Sequence, residues 1–255
     1  MTKKTLLEFK DVTLTLKSGP NEEKKLIDKL NLTIKQGDFI TLLGTNGAGK
    51  STLLNLINGT LQPTQGEIFL ANQPFKKIST KKKMGLIAQV FQDPKAGTAP
   101  RMTVAENLLL ALKRGQSRTL RLRKLTAKKE YLTSLCAQLP NKLADNIDNF
   151  VANLSGGQRQ TLSFLMATVK KPALLLLDEH TAALDPKTSA QLMQLTNQTI
   201  TNQNLTCLMI THQLSDALKY GNRTIILKDG KIVLDVCGKQ KEALTIPEIL
   251  QYFAD

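Results

Sequence analysis

One stretch of eight residues has the composition and spacing of a loop that wraps around phosphate groups: Gly44, Thr45, Asn46, Gly47, Ala48, Gly49, Lys50 and Ser51. Its glycines let the backbone approach phosphates closely with the N–H groups pointing inward. At this spacing the lysine reaches the β- and γ-phosphates, the serine hydroxyl ligates Mg²⁺, and Thr52 is placed to support the α-phosphate. The loop therefore predicts a site for a nucleoside triphosphate with magnesium.

The elements on either side of this loop are those that a phosphate loop requires. The run 39–43 is continuously apolar, as in a strand buried on both faces, and residues 52–57 predict an apolar helix. A strand that runs directly through a glycine-rich loop into a helix is the required context for the motif. An ordinary glycine-rich turn is therefore the weaker interpretation.

A second apolar strand projects two carboxylates. Residues 174–177 are all leucine, and Asp178 and Glu179 follow at the carboxyl end of the strand, where open α/β sheets bind ligands. Asp178 is predicted to hold Mg²⁺ through water, and Glu179 to orient and deprotonate the attacking water. An acidic pair after a strand is weak evidence by itself, but the phosphate loop upstream makes it a candidate hydrolytic site.

A third motif is Leu154-Ser155-Gly156-Gly157-Gln158. By itself it predicts a loop followed by a helix with Ser155 as the N-cap. A helix N-terminus with two glycines is also an anion site. In this order with the two earlier motifs, the third motif resembles the signature of the ABC ATPase family, and the resemblance covers essentially the whole chain. It implies ATP and Mg²⁺ as ligands. It also implies that Ser155, Gly156, Gly157 and Gln158 face the γ-phosphate held by a second subunit.

The resemblance assigns roles to three further residues. Gln92 looks like the glutamine that contacts Mg²⁺ and the attacking water, with Gln89 as its competitor; the Asp-Pro after Gln92 favours Gln92. Asp185, in Ala-Leu-Asp, resembles the loop that crosses to the opposite subunit. His212 resembles the switch histidine that contacts the γ-phosphate.

The chain departs from the family pattern at two places. His180 stands where most members have proline after the acidic pair, and we expect little effect on the chemistry. Leu16 occupies the region of the first strand in which members usually carry an aromatic residue that stacks on adenine. Phe9 lies too early in the strand to replace it, so the residue that contacts the base stays open.

The composition limits the classes of binding partner that this chain can have, but it does not identify a single partner. The chain of 255 residues has 35 Lys and Arg against 21 Asp and Glu, a net charge of +14 that favours anionic partners or a solvated surface. Aromatic residues are 4% with no Trp, which argues against a base-stacking surface for single-stranded nucleic acid. Three widely spaced cysteines fit a reducing compartment. No stretch of about 20 apolar residues is present, so a transport pore would belong to another polypeptide.

Strands that alternate with helices predict an α/β fold around a largely parallel sheet. The pattern predicts strands over 5–17 and 66–70, a helix over 186–203, and a hairpin at the turn Asp229-Gly230. The resemblance implies a phosphate-loop NTPase core with an N-terminal antiparallel β subdomain and an inserted α-helical subdomain. We expect the core over 1–92 and 168–255, and the helical subdomain over 93–167. Residues 103–139 have helical periodicity, and their Arg and Lys residues between 113 and 129 predict a solvated face or, alternatively, a contact with acidic lipid or a partner.

The function implied is the ATP-hydrolysing subunit of an ABC transporter, with import favoured because importers usually carry this cassette as a separate chain. Its implied partners are a transmembrane permease, a second ATPase subunit and a substrate-binding lipoprotein, as in tryptophan/tyrosine-type systems. Its implied place is cytoplasmic, on the inner face of the membrane. Two alternatives stay open: a cytosolic ABC ATPase that acts on nucleic acid, ribosomes or cofactor assembly, and a regulatory or division-linked membrane ATPase.

Overall fold

The computed structural model describes residues 3–17, 23–117, 125–139 and 141–253. These residues cluster into two compact units, the first formed by Met1–Lys83 with Asn204–Asp255 and the second by Met84–Gln203. The strands in chain order are β1 Thr5–Lys17, β2 Glu23–Lys35, β3 Phe39–Leu43, β4 Gln65–Leu70, β5 Gln73–Pro74, β6 Ile87–Val90, β7 Leu174–Asp178, β8 Cys207–Ile210, β9 Arg223–Lys228 and β10 Lys231–Cys237. The α-helices are α1 Lys50–Asn58, α2 Thr80–Leu86, α3 Pro94–Gly97, α4 Val104–Leu112, α5 Leu125–Ala137, α6 Gly156–Thr168, α7 Pro186–Gln203, α8 Leu214–Lys219, α9 Lys239–Glu242 and α10 Ile246–Gln251.

The first unit contains an antiparallel sheet in the order β2-β1-β4-β5. Alternate residues of β1 enter the core, because successive side chains of a strand point to opposite faces. Phe9 is paired with Leu32 of β2 and is 2% exposed, so the predicted N-terminal strands are confirmed as antiparallel.

The same unit contains strands that follow the order β10-β9-β3-β8. β3 is parallel to both β8 and β9, and all five of its residues are buried. β10 is antiparallel to β9, in the hairpin predicted around Asp229-Gly230. β3 is thus the central strand that carries the phosphate loop at its carboxyl end.

The second unit contains a parallel pair, β6 and β7, and a helical cluster. Val104 and Leu108 of α4, Leu132 of α5 and Leu162 of α6 are each 0% exposed and pack in one core. Burying a leucine side chain stabilises a fold by about 1.5–3 kcal/mol, so this cluster fixes the three helices against one another.

The fold class predicted from the sequence is confirmed. The predicted helix over residues 186–203 coincides with α7, and the strand predictions at 5–17, 39–43 and 66–70 agree with β1, β3 and β4 within one residue at each end. No helix among the described residues is both long enough and apolar enough to cross a bilayer.

The helical prediction over 103–139 was too continuous. α4 ends at Leu112, where the backbone of Lys113 closes the last turn, and Gly115 then has a φ of 72°, which no helix continues. Residues 118–124, which hold much of the predicted basic cluster, lie outside the described residues. Arg114 belongs to the predicted cluster, but its guanidinium group is not fully solvated. The guanidinium donates to the Ala167 carbonyl at 2.9 Å, and burial lowers the pKa of Arg114.

The second compact unit holds the whole of residues 93–167, together with β6, β7 and α7. The boundaries expected for a separate helical subdomain stay a prediction, because the unit gathers helices and strands alike.

Candidate nucleotide site

The phosphate loop connects β3 to α1 in the first unit, and two of its glycines are required by the surrounding backbone. Gly49 has a φ of 102°, and a Cβ there would lie 2.7 Å from the Leu26 carbonyl oxygen. A Cβ on Gly44 would lie 2.4 Å from the carbonyl oxygen of Leu227 in β9. The loop therefore sits directly against β2 and β9, and only glycine fits at these two positions.

Lys50 is the first residue of α1 and is 7% exposed. Its ammonium group donates to the carbonyl oxygens of Gly44 at 2.7 Å and of Thr45 at 2.9 Å, which compensates for its burial. The side chain thus reaches back across the loop from the start of the helix. Its positive charge lies inside the curve of the backbone that the sequence predicted to hold phosphates.

The remaining loop residues divide by exposure. Thr45, Asn46, Gly47 and Ser51 are exposed, Thr52 is half-buried and Ala48 is buried. Ala48 fixes the loop to the hairpin, since its carbonyl oxygen accepts from the Gly230 N–H at 3.0 Å. The Ser51 hydroxyl lies at the exposed start of α1, where it is available to a metal–nucleotide complex.

His212 belongs to the first unit as well. It is exposed in the bend between β8 and α8, directly after the buried Thr211. The Thr211 hydroxyl accepts from the Gln213 N–H at 3.1 Å, which shapes the bend on both sides of the histidine. The sequence order placed this residue correctly at the carboxyl end of a core strand.

In the second unit, the carboxyl ends of β6 and β7 lie side by side. Val90 is the register partner of Leu177, so Gln92 and Glu179 each lie two residues beyond a paired position. Asp178 is the last residue of β7. The amide and both carboxylates are therefore at one edge of this strand pair, whereas Gln89 lies within β6, which supports Gln92 as the functional glutamine.

The turn after the acidic pair has an unusual backbone. Glu179 has a φ of 45°, in the left-handed region that costs energy for a residue with a side chain. The Glu179 carbonyl accepts from the Ala182 N–H at 3.0 Å, which closes the turn. Glu179 is half-buried at this turn.

His180, from which the sequence predicted little effect on the chemistry, lies in the core. It is 2% exposed, and its Nε2 lies 3.0 Å from the Thr196 hydroxyl of α7. Its ring also stacks on Phe164 of α6, with centroids 6.4 Å apart. Burial lowers the pKa of His180 to about 4, so the imidazole is neutral near pH 7.

The signature motif forms the N-terminus of α6, as the sequence predicted. The Ser155 hydroxyl accepts from the Gln158 N–H at 3.2 Å, and the Gln158 side chain accepts from the Ser155 N–H at 3.1 Å. These two bonds make a capping box. Gln158 also donates to the Asn141 carbonyl at 3.1 Å, which joins the motif to the preceding loop.

Asp185 caps α7 in a similar way. Its carboxylate accepts from the Thr188 N–H at 3.0 Å, and the hydrogen bonds with Thr188 lower the pKa of Asp185. The signature and the Asp185 loop share one open pocket of about 650 Å³. The pocket is lined by Asn141, Lys142, Ser155, Gly156, Gly157, Gln158, Ala183, Leu184, Asp185 and Thr188.

Sequence reasoning missed three residues of this pocket, Asn141, Lys142 and Thr188. Asn141 and Lys142 have φ values of 71° and 50°, so the chain reverses sharply there. Asparagine visits this left-handed region more easily than most residues, which is the one local signal that could have found the turn. Nothing local predicts that Lys142 lines the same pocket as the signature.

The described part of the first strand offers no aromatic ring for a base. Leu16 is 45% exposed on β1, while Phe9 is buried in the core of the antiparallel sheet. Because Phe9 is buried, the structure agrees with the prediction that Phe9 does not stack on the adenine base. Leu16 can provide only an aliphatic contact.

Comparison with known proteins shows the family of the chain. The sequence pattern of the family described as ABC transporter matches residues 27–182. The chain is 43% identical over 249 residues to the tyrosine transport ATP-binding protein of Clostridioides difficile (strain R20291), covering 97% of this chain and 98% of the relative. It is 36% identical over 205 residues to the thiamine import ATP-binding protein ThiQ of Yersinia pestis, covering 80% and 82%.

A solved structure gives the same result. The dimeric post-hydrolysis state of the ATP-binding cassette MJ0796, bound to ADP and Pi, is similar with a TM-score of 0.76 at 30% identity, covering 91% of this chain and 98% of that chain. Fold and site together define a phosphate-loop ATPase. The chain belongs to the ABC transporter family, and it is an ATP-binding, ATP-hydrolysing subunit of that family. The predicted family and enzyme class are confirmed, and the transport names of the relatives favour transport over nucleic-acid work.

Proposed function

We propose that this chain hydrolyses ATP to drive the import of a small solute, of the tyrosine or tryptophan type, through a separate transmembrane subunit. The observation that carries the proposal is the 43% identity, over 97% of this chain, to a tyrosine transport ATP-binding protein. The thiamine import relative supports the inward direction. A substrate-binding lipoprotein and a position on the inner face of the membrane belong to the same proposal.

In the first unit, the loop from Gly44 to Thr52 holds the phosphates of ATP. Lys50 supplies the positive charge, and the glycine positions let backbone N–H groups face the phosphate oxygens. His212 contacts the γ-phosphate from the bend after β8. The buried β3 fixes the loop, so the site needs little rearrangement before ATP binds.

In the second unit, Glu179 takes a proton from the attacking water and Gln92 orients that water. Among the described residues, no group of three or more His, Cys, Asp or Glu side chains could hold a metal ion. Mg²⁺ is usually held by one or two carboxylates together with substrate phosphates. Ser51 in the first unit, and Gln92 and Asp178 in the second, would offer oxygen donors to Mg²⁺, which would neutralise charge on the phosphates.

The signature residues Ser155, Gly156, Gly157 and Gln158 complete the site from a second copy of the chain, as does Asp185. Their pocket is open to solvent, and the α6 N-terminus in it favours negative charge. Two equivalent sites follow from a two-fold dimer. ATP then holds the two copies together, and loss of the γ-phosphate releases them, which is a two-state switch.

The variant Glu179→Gln tests the hydrolytic assignment. It keeps the shape of the side chain but removes the base, so turnover should fall by about 100-fold or more while ATP affinity is retained. The variant should also accumulate as a dimer with ATP in light scattering. Glu130→Gln, an exposed residue of α5, is the matched control. Unchanged turnover in Glu179→Gln would contradict the role of Glu179.

The transport assignment has its own test. The tagged chain, purified from gently solubilised native membranes, should bring down a multi-span membrane protein and a lipoprotein. A deletion strain should then lose uptake of labelled tyrosine or tryptophan. Recovery of a soluble partner or nucleic acid without a membrane protein would overturn transport while leaving the ATPase intact.

A further inference from the structure

The residue after the proposed base is a buried imidazole at a strained turn. Glu179 keeps a φ of 45° in the turn that closes onto Ala182, and His180 follows at 2% exposure. A left-handed residue with a side chain persists only where its surroundings hold it, at a cost of about 1–3 kcal/mol. Some contact must therefore hold this turn, and His180 is the residue next to the strain.

Two contacts fix the His180 ring, and they come from different helices. Its Nε2 is hydrogen-bonded to the hydroxyl of Thr196, a fully buried residue of α7. Its face stacks on Phe164 of α6, with an interplanar angle of 25°. One side chain thus ties the turn to both helices at once.

Those two helices begin at the two parts of the pocket described above. α6 starts at the Ser155 capping box, and α7 starts at the Asp185 cap. Interior packing is close and transmits strain, so a ring held between two helices connects the positions of their ends. His180 is therefore next to the proposed base, Glu179, and is also connected through α6 and α7 to the proposed γ-phosphate contacts at Ser155 and Asp185.

We propose that His180 is a positioning residue, which directs the Glu179 carboxylate by holding the next peptide in place between Thr196 and Phe164. The side chain of His180 is thus an anchor in the core that restrains the backbone directly after Glu179. The proposal rests on Glu179 acting as the base, and it adds that the two helices carrying the signature and Asp185 set the direction of that base.

The experiment removes the hydrogen bond from either end. Thr196→Val keeps the shape of the threonine and removes its hydroxyl, and His180→Phe keeps a ring on Phe164 without the bond. Each variant should lower kcat about 10-fold, with KM for ATP and ATP affinity within about twofold of wild type. The double variant should be no slower than the slower single variant, because both remove one bond. His180→Gln, which retains a side-chain N–H, should recover part of the lost kcat.

The matched control is Thr168→Val in α6. Thr168 is also buried, but within the described part of the chain its hydroxyl donates to carbonyls of its own helix, those of Phe164 at 2.9 Å and Leu165 at 3.4 Å. It should lower Tm like Thr196→Val and leave kcat unchanged. If His180→Phe is insoluble, Thr196→Val decides alone. A Thr196→Val variant with wild-type kcat and only a lower Tm would overturn the proposal, leaving His180 as core packing.

Glu179→Gln in the same assay separates the two proposals. If Glu179→Gln abolishes turnover and Thr196→Val does not change it, only the positioning role is wrong. If Glu179→Gln leaves turnover unchanged, the proposed base is wrong, and the positioning role falls with it.

Discussion

Two helices of this protein have glycine-containing N-terminal motifs, and we propose that both contact the same triphosphate from different copies of the chain. At α1 the N-cap is Gly49 in the left-handed region, with no side-chain cap. At α6 the N-cap is Ser155, with Gln158 completing a capping box. The first helix end is thus shaped by the backbone, and the second is stabilised by its own side chains.

Gly44 and Gly49 at the first helix end differ from Gly156 at the second. A Cβ at Gly44 or Gly49 would collide with a backbone oxygen of this chain, so internal packing requires glycine at those two positions. Among the described residues, a Cβ at Gly156 would meet nothing within 4 Å. The packing of the described part of the chain therefore does not require glycine at 156. The proposed contact with a second copy gives a separate reason for glycine there, which a variant can test.

The largest effect should come from Gly49→Ala. The new methyl group meets the Leu26 carbonyl at 2.7 Å, and alanine does not tolerate a φ of 102°. We expect a loss of about 1–3 kcal/mol in the free energy of unfolding, and a loss of ATP affinity of about 100-fold or more. Chemical denaturation and calorimetric titration with ATP measure the two.

Gly47→Ala is the control for that variant. Its φ of 83° is also unfavourable for alanine, but a Cβ there has open space. It should lose less stability than Gly49→Ala, since it carries the backbone strain without the collision. Equal losses in the two variants would show that close contact with β2 does not shape the loop.

A substitution in the signature motif should change the stability of the fold less than Gly49→Ala does, but it should clearly lower ATP turnover. Gly156→Ala should leave Tm unchanged or raise it, because alanine favours a helix by about 1 kcal/mol over glycine. Its methyl group should nevertheless lower dimer-dependent ATPase activity by about 10-fold or more, by entering the space kept for the second copy. Wild-type activity in Gly156→Ala would argue against a contact at this position.

Gly157→Ala should behave in the opposite way. A Cβ at Gly157 would lie 2.6 Å from the Thr188 Cγ2, so the variant should lose stability as well as activity. The double variant with Thr188→Ser removes that methyl group and should recover Tm. Stability that stays low in the double variant would place the collision elsewhere.

Sequence predicted the parts of the site that are built locally. The phosphate loop, Ser155 as a cap and α7 from Pro186 each depend on residues within a few positions, so their pattern is visible in the chain. The contacts of His180 were not visible in the sequence, because Phe164 and Thr196 are each 16 residues away along the chain. Residues 103–139 were predicted as one helical stretch because the periodicity of apolar residues continues through Gly115. The backbone at Gly115 is not helical, so α4 ends before it.

The smallest expected effect compares two capping boxes. Ser155 caps α6 with Gln158, and Thr103 caps α4 with Glu106 in the same geometry. Replacing either cap by alanine removes one bond to a helix N–H, so each variant should lose about 1 kcal/mol of stability. Thermal unfolding measures both.

Activity then separates the two caps. Ser155→Ala should lower turnover by a further factor of about 3–10, because Ser155 also lines the pocket with Asp185, whereas Thr103→Ala should not. Equal turnover in the two variants would mean that Ser155 serves its helix alone. The signature would then contact the nucleotide of the second copy through the backbone at the N-terminus of α6. The two helix ends would then differ in function only by their glycines, and not by the Ser155 side chain.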